Sequence, residues 1–163
     1  MNAPLRSGLK FDVQALITVI KQATSPDGFT PQLTPTQWEL LSGYLQPLAL
    51  AQGQRLIEQG AMDRTLYLVE AGTLSVHYED DKGRVRLAMV DAGSAVGEGA
   101  FFSRLPRNAT VQAATAAKLW CITPIRFTEL TNRQPAVALE IAMALGSLVS
   151  RRLMSKPRRV AVT

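Results

Sequence analysis

Glycines recur at intervals of about ten residues through the middle of the chain and divide it into short segments. Within these segments apolar and polar residues alternate, as they do at Leu74, Val76 and Tyr78. A period of two predicts β-strands that bury one face, and many short strands with regular turns are typical of a sandwich, jelly roll or barrel. We therefore expect a β domain over residues 47–123. The glycines are Gly53, Gly60, Gly72, Gly83, Gly93 and Gly97.

Helical patterns precede this β region and form an N-terminal helical extension, residues 1–46. The apolar spacing over residues 11–20 predicts a first helix, whereas residues 1–10 have no such pattern and are expected to be disordered. Residues 24–36 contain three prolines and a glycine, which predicts a linker or an extended crossing. Within that stretch, Thr34-Pro35 suits the N-cap and first position of a second helix.

Helical patterns also follow the β region, in a C-terminal part over residues 124–163. Residues 125–131 predict a short helix, and apolar residues after Pro135 predict a long one that ends near Lys156, because Pro157 follows. A long helix with an apolar seam pairs with a second copy, packs on its own β domain, or does both along its length. A homodimer through this helix is therefore one expectation.

The chain has one cysteine and one histidine. A single cysteine excludes an internal disulfide framework and a Cys-cluster metal site, and zinc or cupin-type centres usually take two or three histidines. We interpret Cys121 as a buried, inert thiol in an apolar run and His77 as a surface residue. Because there is also no carboxylate pair at catalytic spacing and no nucleophile motif, we expect no metal, no catalytic residue and no enzyme. An enzyme on a cupin-like roll is the alternative that these observations argue against.

The net charge of +5 is concentrated near the C-terminus, so the chain is a neutral domain with a basic tail. Such a tail can contact nucleic acid, a membrane or an unidentified protein partner. Alternatively, it is a solvated helix end whose cations offset the helix dipole, which is the interpretation we favour. Neither a signal peptide nor a long uncharged apolar segment is evident, which predicts a cytoplasmic protein without a membrane span. The cations are Arg151, Arg152, Lys156, Arg158 and Arg159.

Residues 97–111 have the pattern of a phosphate-binding loop. Gly97 and Gly99 let the backbone approach a ligand closely, and Arg107 offers a fork of donors that fits phosphate oxygens. Glu98 is an acceptor when ionised and can accept a hydrogen bond from a hydroxyl group. An anion receptor and a hydroxyl receptor in one loop predict a site for a sugar phosphate.

The order of these parts resembles the cyclic nucleotide-binding domain over about residues 45–156. The family includes the catabolite activator proteins, the regulatory subunits of cyclic-AMP-dependent protein kinase and the cyclic-nucleotide-gated channels. The match rests on the glycine motif at 53–60, the hairpin at 66–74 and the cassette at 97–111, which ends in Pro-Arg and Thr-Val. The resemblance implies an α+β, mainly β fold. Its core is a double-stranded β-helix (a jelly-roll β-roll) flanked by N-terminal helices and a long C-terminal helix.

The resemblance also implies roles for individual residues. Arg107 would pair with the cyclic phosphate, Glu98 would accept from the ribose 2′-hydroxyl, and backbone N–H groups in the loop would complete the phosphate cradle. Apolar strand residues would touch the base. The ligand-binding residues expected in this way are Gly97, Glu98, Gly99, Ala100, Arg107, Asn108, Ala109, Val76 and Leu87.

The function implied is that of a sensor for cyclic AMP, or cyclic GMP, that transmits binding through the C-terminal helix and needs no further cofactor. Family transcription factors continue into a helix-turn-helix module, which this sequence lacks, so we expect no DNA-binding module in this chain. The alternative is an interaction or dimerisation module that kept the fold and lost the ligand, an alternative that Gly99 and Pro157 favour. On sequence alone, Arg107→Ala is expected to weaken binding and leave the stability of the unliganded protein nearly unchanged.

Overall fold

The computed structural model describes residues 11–155. Within that range two helices precede the strands, a short helix interrupts them, and two helices follow. The expected disorder of residues 1–10 lies outside the described residues, whereas the last helix ends at Met154, two residues before the predicted end near Lys156. In chain order the elements are α1 (Val13–Gln22), α2 (Pro35–Ser42), β1 (Gln46–Leu50), β2 (Arg55–Ile57), β3 (Leu66–Ala71), β4 (Thr73–Glu79), β5 (Val85–Asp91), β6 (Ala95–Val96), α3 (Glu98–Ser103), β7 (Thr110–Ala113), β8 (Ala117–Ile122), α4 (Pro124–Arg133) and α5 (Pro135–Met154).

The strands form two four-stranded antiparallel sheets, in the orders β1-β8-β3-β6 and β2-β7-β4-β5. The inner faces of the two sheets meet in one apolar core, to which Leu74 and Val76 of β4 contribute fully buried side chains. In β4 the alternation that predicts the strand is therefore the alternation between core and outer face. In β5, by contrast, the alternating apolar residues Val85, Leu87 and Met89 are exposed. The mainly β roll with flanking helices, expected from the sequence, is confirmed.

Gly72 makes the tight connection between β3 and β4. It has a φ of 89°, and a Cβ at this position would lie 2.4 Å from the carbonyl oxygen of Ala116. Only glycine allows both this left-handed conformation and this backbone approach. The central hairpin predicted from the sequence therefore depends on Gly72.

The helices cover the other face of the sheet that contains β3 and β8. Leu68 and Trp120 of that sheet pack with Leu16 of α1 and Leu145 and Leu148 of α5 in a second apolar core. The buried Trp120 Nε1 donates a hydrogen bond of 3.0 Å to Oε1 of Glu70, which satisfies two polar groups inside the core. Helix α5 is thereby fixed against the roll along its apolar side.

The predicted helix starts agree with the observed caps. Thr34 accepts from the backbone N–H of Gln37, and the Gln37 side chain accepts from the backbone N–H of Thr34, which is a complete capping box. Pro124 starts α4, and α4 extends further at both ends than the predicted 125–131. The segment between α1 and α2 is an extended crossing, as one of the two readings of residues 24–36 predicts. Its Phe29 is fully buried and donates its backbone N–H to Gly93.

Candidate functional site

The cassette begins with a glycine that nothing else can replace without strain. Gly97 connects β6 to α3 with a φ of 89°. A Cβ at this position would lie 2.7 Å from the carbonyl oxygen of Thr65 and 2.8 Å from Nη1 of Arg107. The missing side chain therefore allows Arg107 to lie against the start of α3.

Arg107 is buried and makes four hydrogen bonds to its surroundings. Nη1 donates to the carbonyl oxygen of Gly97 at 3.0 Å, and Nη2 donates to that of Thr65 at 2.7 Å. Nη2 and Nε also donate to the two carboxylate oxygens of Asp63, at 2.7 Å and 3.2 Å. The side chain is 0 % exposed, whereas that of Asp63 is half exposed. Of the five N–H donors of the guanidinium, at most one lacks an acceptor among the described residues.

Asp63 titrates as a partner of Arg107. Partial burial by itself raises the pKa of a carboxyl group, but the hydrogen bonds from Arg107 and from the Thr65 backbone outweigh this effect and lower the pKa of Asp63 below its usual value. Asp63 is therefore ionised at neutral pH and fixes the orientation of the guanidinium. Because Asp63 accepts from both Nε and Nη2, the guanidinium does not offer its full fork to a further anion in this arrangement.

Glu98, the first residue of α3, is completely buried. Its Oε1 accepts a hydrogen bond of 2.6 Å from Nη1 of Arg152, a residue in the last turn of α5. The two side chains form an ion pair in which neither partner is more than 2 % exposed. The carboxylate expected to meet a ligand hydroxyl is thus joined to the C-terminal helix.

Arg152 is held by three further residues. Its Nε and Nη2 donate to Asp27 at 2.5 Å and 3.0 Å, and Nη2 also donates to Ser94 Oγ at 3.0 Å and to the carbonyl oxygen of Ala95 at 2.9 Å. Burial alone lowers the pKa of a guanidinium, but Glu98 and Asp27 outweigh it and raise the pKa of Arg152. Arg152 is only 3 % exposed, so the interpretation of the basic tail as a solvated helix end is wrong for this residue.

A cleft of about 350 Å³ lies beside the cassette, with a mostly apolar lining. Glu98, Gly99, Ala100 and Asn108 line it from the cassette, and Val149 lines it from α5. Its remaining lining residues are Phe102, Ser103, Leu105 and Pro106. The cleft brings together four of the ligand-binding residues expected from the sequence, next to α5.

Comparison with known protein families gives a match across the β region and α4. The model of the cyclic nucleotide-binding domain matches residues 47–134. This chain belongs to that family. The resemblance expected from the sequence is thereby confirmed.

Relatives of this cyclic nucleotide-binding domain include parts of larger proteins. The chain is 30 % identical over 115 residues to a cGMP-dependent protein kinase of Caenorhabditis briggsae, an alignment that covers 71 % of the chain and 15 % of the kinase. The chain therefore spans a small fraction of that enzyme, and its similarity concerns a regulatory domain, typically non-catalytic, that some enzymes carry as a fused part.

Solved structures agree on the fold. A cyclic nucleotide-binding domain from Methylobacillus flagellatus matches with a TM-score of 0.76 at 18 % identity, covering 86 % of this chain and 78 % of that one. The catabolite activator protein of Thermus thermophilus matches with a TM-score of 0.67 at 27 % identity, covering 76 % of this chain and 56 % of that one. The first match shows the fold alone.

The remaining expected site residues of the cyclic nucleotide-binding domain lie apart from the cleft. Arg107 and Ala109 are buried behind the cassette, and Val76 lies in the core between the sheets. In the antiparallel register, Val76 lies opposite Ala88 and Leu87 lies opposite His77. Leu87 is therefore on the other face of the sheet from Val76, where it is 62 % exposed. In this conformation the structure does not bring Val76 and Leu87 together.

Three residues of this site were not identified from the sequence. Asp63 and Asp27 are acidic residues in polar loops, and no pattern separates them from other solvated carboxylates. Arg152 was grouped with the basic tail, although its place four residues after Leu148, on the buried side of α5, is a periodic signal that it faces inward. Asp63 and Arg152 are the charged partners of Arg107 and Glu98, the two residues that the cassette pattern does identify, and Asp27 is the second partner of Arg152.

The other chemically distinctive side chains of the domain are not at this site. His77 is partly exposed, and its Nε2 lies 3.0 Å from Ser75 Oγ. Cys121 is half-buried and not fully buried as expected; it donates to the carbonyl oxygen of Gln46, and burial raises the pKa of its thiol, which fits an inert cysteine. Over residues 11–155 no cluster of three or more metal-ligating side chains occurs, and no helix there is long and apolar enough to cross a membrane.

Proposed function

We propose that this domain binds a cyclic nucleoside monophosphate, cyclic AMP or cyclic GMP, and transmits the occupancy of the cleft through α5. One observation carries the proposal: within a single glycine-bounded loop, Arg107 donates a hydrogen bond to the carbonyl oxygen of Gly97, the residue directly before Glu98. A cationic group and a hydroxyl acceptor are thus fixed relative to each other before any ligand arrives.

The charges of the site suit a phosphodiester. A cyclic phosphate carries one negative charge and has no proton to donate, so one guanidinium and several backbone N–H groups are sufficient partners. Asp63 neutralises part of the charge on Arg107, so the backbone N–H groups near Gly99, Ala100 and Ala109 would supply the remaining donors. Glu98 would accept from the 2′-hydroxyl, which the cyclic phosphate leaves unesterified.

The position of α5 supports a role in transmission. Val149 of α5 lines the cleft, and Arg152 binds Glu98. An occupant of the cleft therefore contacts α5 directly, and a ligand with different affinities for two positions of α5 would shift the population between them.

Calorimetry with a variant and a modified ligand tests the binding site. Arg107→Lys keeps the positive charge but loses the planar fork, so it should weaken cyclic AMP binding by about tenfold or more, the equivalent of one charge-assisted hydrogen bond. Arg126→Lys, which alters an ion pair with Glu129 on α4, is the matched control and should bind as the parent does.

Removing the 2′-hydroxyl from the ligand tests Glu98 without changing the protein. The 2′-deoxy analogue of cyclic AMP should bind about tenfold or more weakly, because the buried carboxylate loses its hydroxyl partner. Equal affinities for both ligands, together with parent-like binding by Arg107→Lys, would contradict the assignment of both residues.

We also propose a homodimer through α5. Leu139, Met143 and Leu153 are exposed on the side of α5 that faces away from the core, and their spacing places them along one face. Met143→Glu should then convert a dimer into a monomer in sedimentation equilibrium. A parent protein that is monomeric at all accessible concentrations would refute this proposal.

A second candidate function is a protein-interaction module of the same fold that binds no nucleotide. The observation that favours it is the ion pair between Glu98 and Arg152, which already satisfies the expected ribose acceptor. A thermal-shift panel of cyclic mononucleotides and dinucleotides discriminates the two candidates. No shift with any of them favours the interaction module.

A further inference from the structure

The last turn of α5 is attached to the rest of the protein by arginines and not by apolar contacts. Leu148 is the last fully buried apolar residue of the helix, and Leu153 and Met154 beyond it are exposed. Arg151 donates to the carbonyl oxygens of Pro26 and Gly28. Because Arg152 makes five further hydrogen bonds, polar contacts determine where this turn lies.

These polar contacts converge on the expected ligand site. Arg152 joins Glu98 at the start of α3, Ser94 and Ala95 at the start of β6, and Asp27 in the crossing between α1 and α2. Within this network, Glu98 is the residue for which a cyclic nucleotide would also compete. Nη1 of Arg152 lies 2.6 Å from Glu98 Oε1, which is the distance of a short, direct hydrogen bond.

We propose that Arg152 is an autoinhibitory latch, which closes the site by binding the Glu98 carboxylate and must be displaced before a nucleotide hydroxyl can take its place. The proposal rests on the proposed cyclic nucleotide function and adds a regulatory residue to it. The closed state is the one described here, with α5 bound to the cassette. In the open state the last turn of α5 separates from Glu98, and Arg152 enters solvent.

The residues around the latch explain how it can be both closed and reversible. Asp27 keeps a second carboxylate on Arg152, and its side chain is 21 % exposed, so water can reach the outer side of the pair. A terminal helical turn without buried apolar side chains separates at low cost, since end turns belong to the least stable parts of a fold. The latch therefore needs only a local opening of α5.

Three variants separate a latch on Glu98 from general loosening of the helix end. Arg152→Gln removes the cation that binds Glu98, and Asp27→Asn weakens the outer support of the same guanidinium without touching the cleft. Arg151→Gln removes an equal charge from the same turn, together with its contacts to the crossing, but leaves the pair with Glu98 in place. The variants are compared with the parent by calorimetry with cyclic AMP and by hydrogen exchange of α5 without ligand.

The expected size follows from the population of the open state. If about 1–10 % of the parent molecules are open, complete opening should lower the apparent Kd by about ten- to a hundredfold. Arg152→Gln should approach this limit, Asp27→Asn should give a smaller decrease, and Arg151→Gln the smallest. Without ligand, the amides of residues 148–154 should exchange faster in Arg152→Gln than in the parent.

Each outcome decides the question. Tighter binding and faster exchange in Arg152→Gln and Asp27→Asn, in that order, support the latch. Faster exchange with unchanged or weaker binding overturns it and leaves the proposed function intact. An equal gain in affinity from Arg151→Gln also overturns it, since loosening of the turn would then suffice. If neither the parent nor any variant binds a cyclic nucleotide, the proposed function fails and the latch fails with it, whereas the exchange data still show whether Arg152 fixes α5.

Discussion

Replacement of Arg107 by alanine should destabilise the protein even without a ligand, contrary to what the sequence alone suggests. The substitution leaves the carbonyl oxygens of Gly97 and Thr65 without their guanidinium partner. An unsatisfied buried polar group costs about 1–3 kcal/mol. Asp63 contributes little to the loss because it is half exposed and regains water. We expect a total loss of about 3 kcal/mol in the free energy of unfolding, allowing for water that enters the new cavity.

Urea denaturation and a thermal melt of unliganded protein measure this loss. A loss of about 3 kcal/mol corresponds to a fall in Tm of about 6–12 °C for a domain of this size. Arg55→Ala is the matched control, since it removes an arginine from an exposed ion pair with Glu58 and should cost less than about 1 kcal/mol. If Arg107→Ala melts within about 2 °C of the parent, which is the change expected for the control, the buried contacts do not hold the cassette and the reasoning fails.

Three further predictions concern the supports of the site. Because the pKa of Asp63 is lowered in the folded protein, its stabilising contribution is complete above its ordinary pKa of about 3.9 and is lost as the pH falls through the lower folded value. Urea denaturation should therefore show that Asp63→Asn costs less stability at about pH 3 than at about pH 6. A cost that does not change with pH would contradict the pairing. Gly97→Ala should lower the unfolding free energy by clearly more than Gly60→Ala, since Gly60 shares the positive φ but has nothing within 4 Å of a Cβ; equal losses would mean that backbone conformation alone accounts for Gly97. Trp120→Phe removes the donor to the buried Glu70 and should cost about 1–3 kcal/mol in the same assay, and a neutral result would show that water replaces the indole N–H.

The fold could be predicted in outline because its signals are local. Alternation along β4, the glycine at position 72 and the capping residues of α2 act over a few neighbouring positions, and each determines its own element. The register of β5 against β4 could not be predicted in this way. It depends on how the charged loop between Glu79 and Val85 closes, and this register decides that Leu87 lies on the face opposite to Val76.

The site could be predicted only in part for a related reason. Glu98 and Arg107 belong to one short cassette, so their spacing is visible in the sequence. Their partners are distant: Asp63 lies 44 residues from Arg107, and Arg152 lies 54 residues from Glu98. Nothing in composition or periodicity identifies which acid meets which base across such distances, since these pairs arise only when the roll closes and α5 packs against it.

In the proposed latch, Glu98 is the residue at which ligand binding and the position of α5 become a single equilibrium. If a nucleotide hydroxyl and Arg152 exclude one another at this carboxylate, the free energy by which α5 opposes the ligand equals the free energy by which the ligand opens α5, because thermodynamic coupling is reciprocal. The gain in affinity measured for Arg152→Gln therefore also predicts the shift in α5 opening that saturating cyclic AMP causes in the parent. Suppose that saturating cyclic AMP shifts the exchange of residues 148–154 in the parent much less than this gain in affinity requires. Glu98 would then accept the nucleotide hydroxyl and Arg152 at the same time.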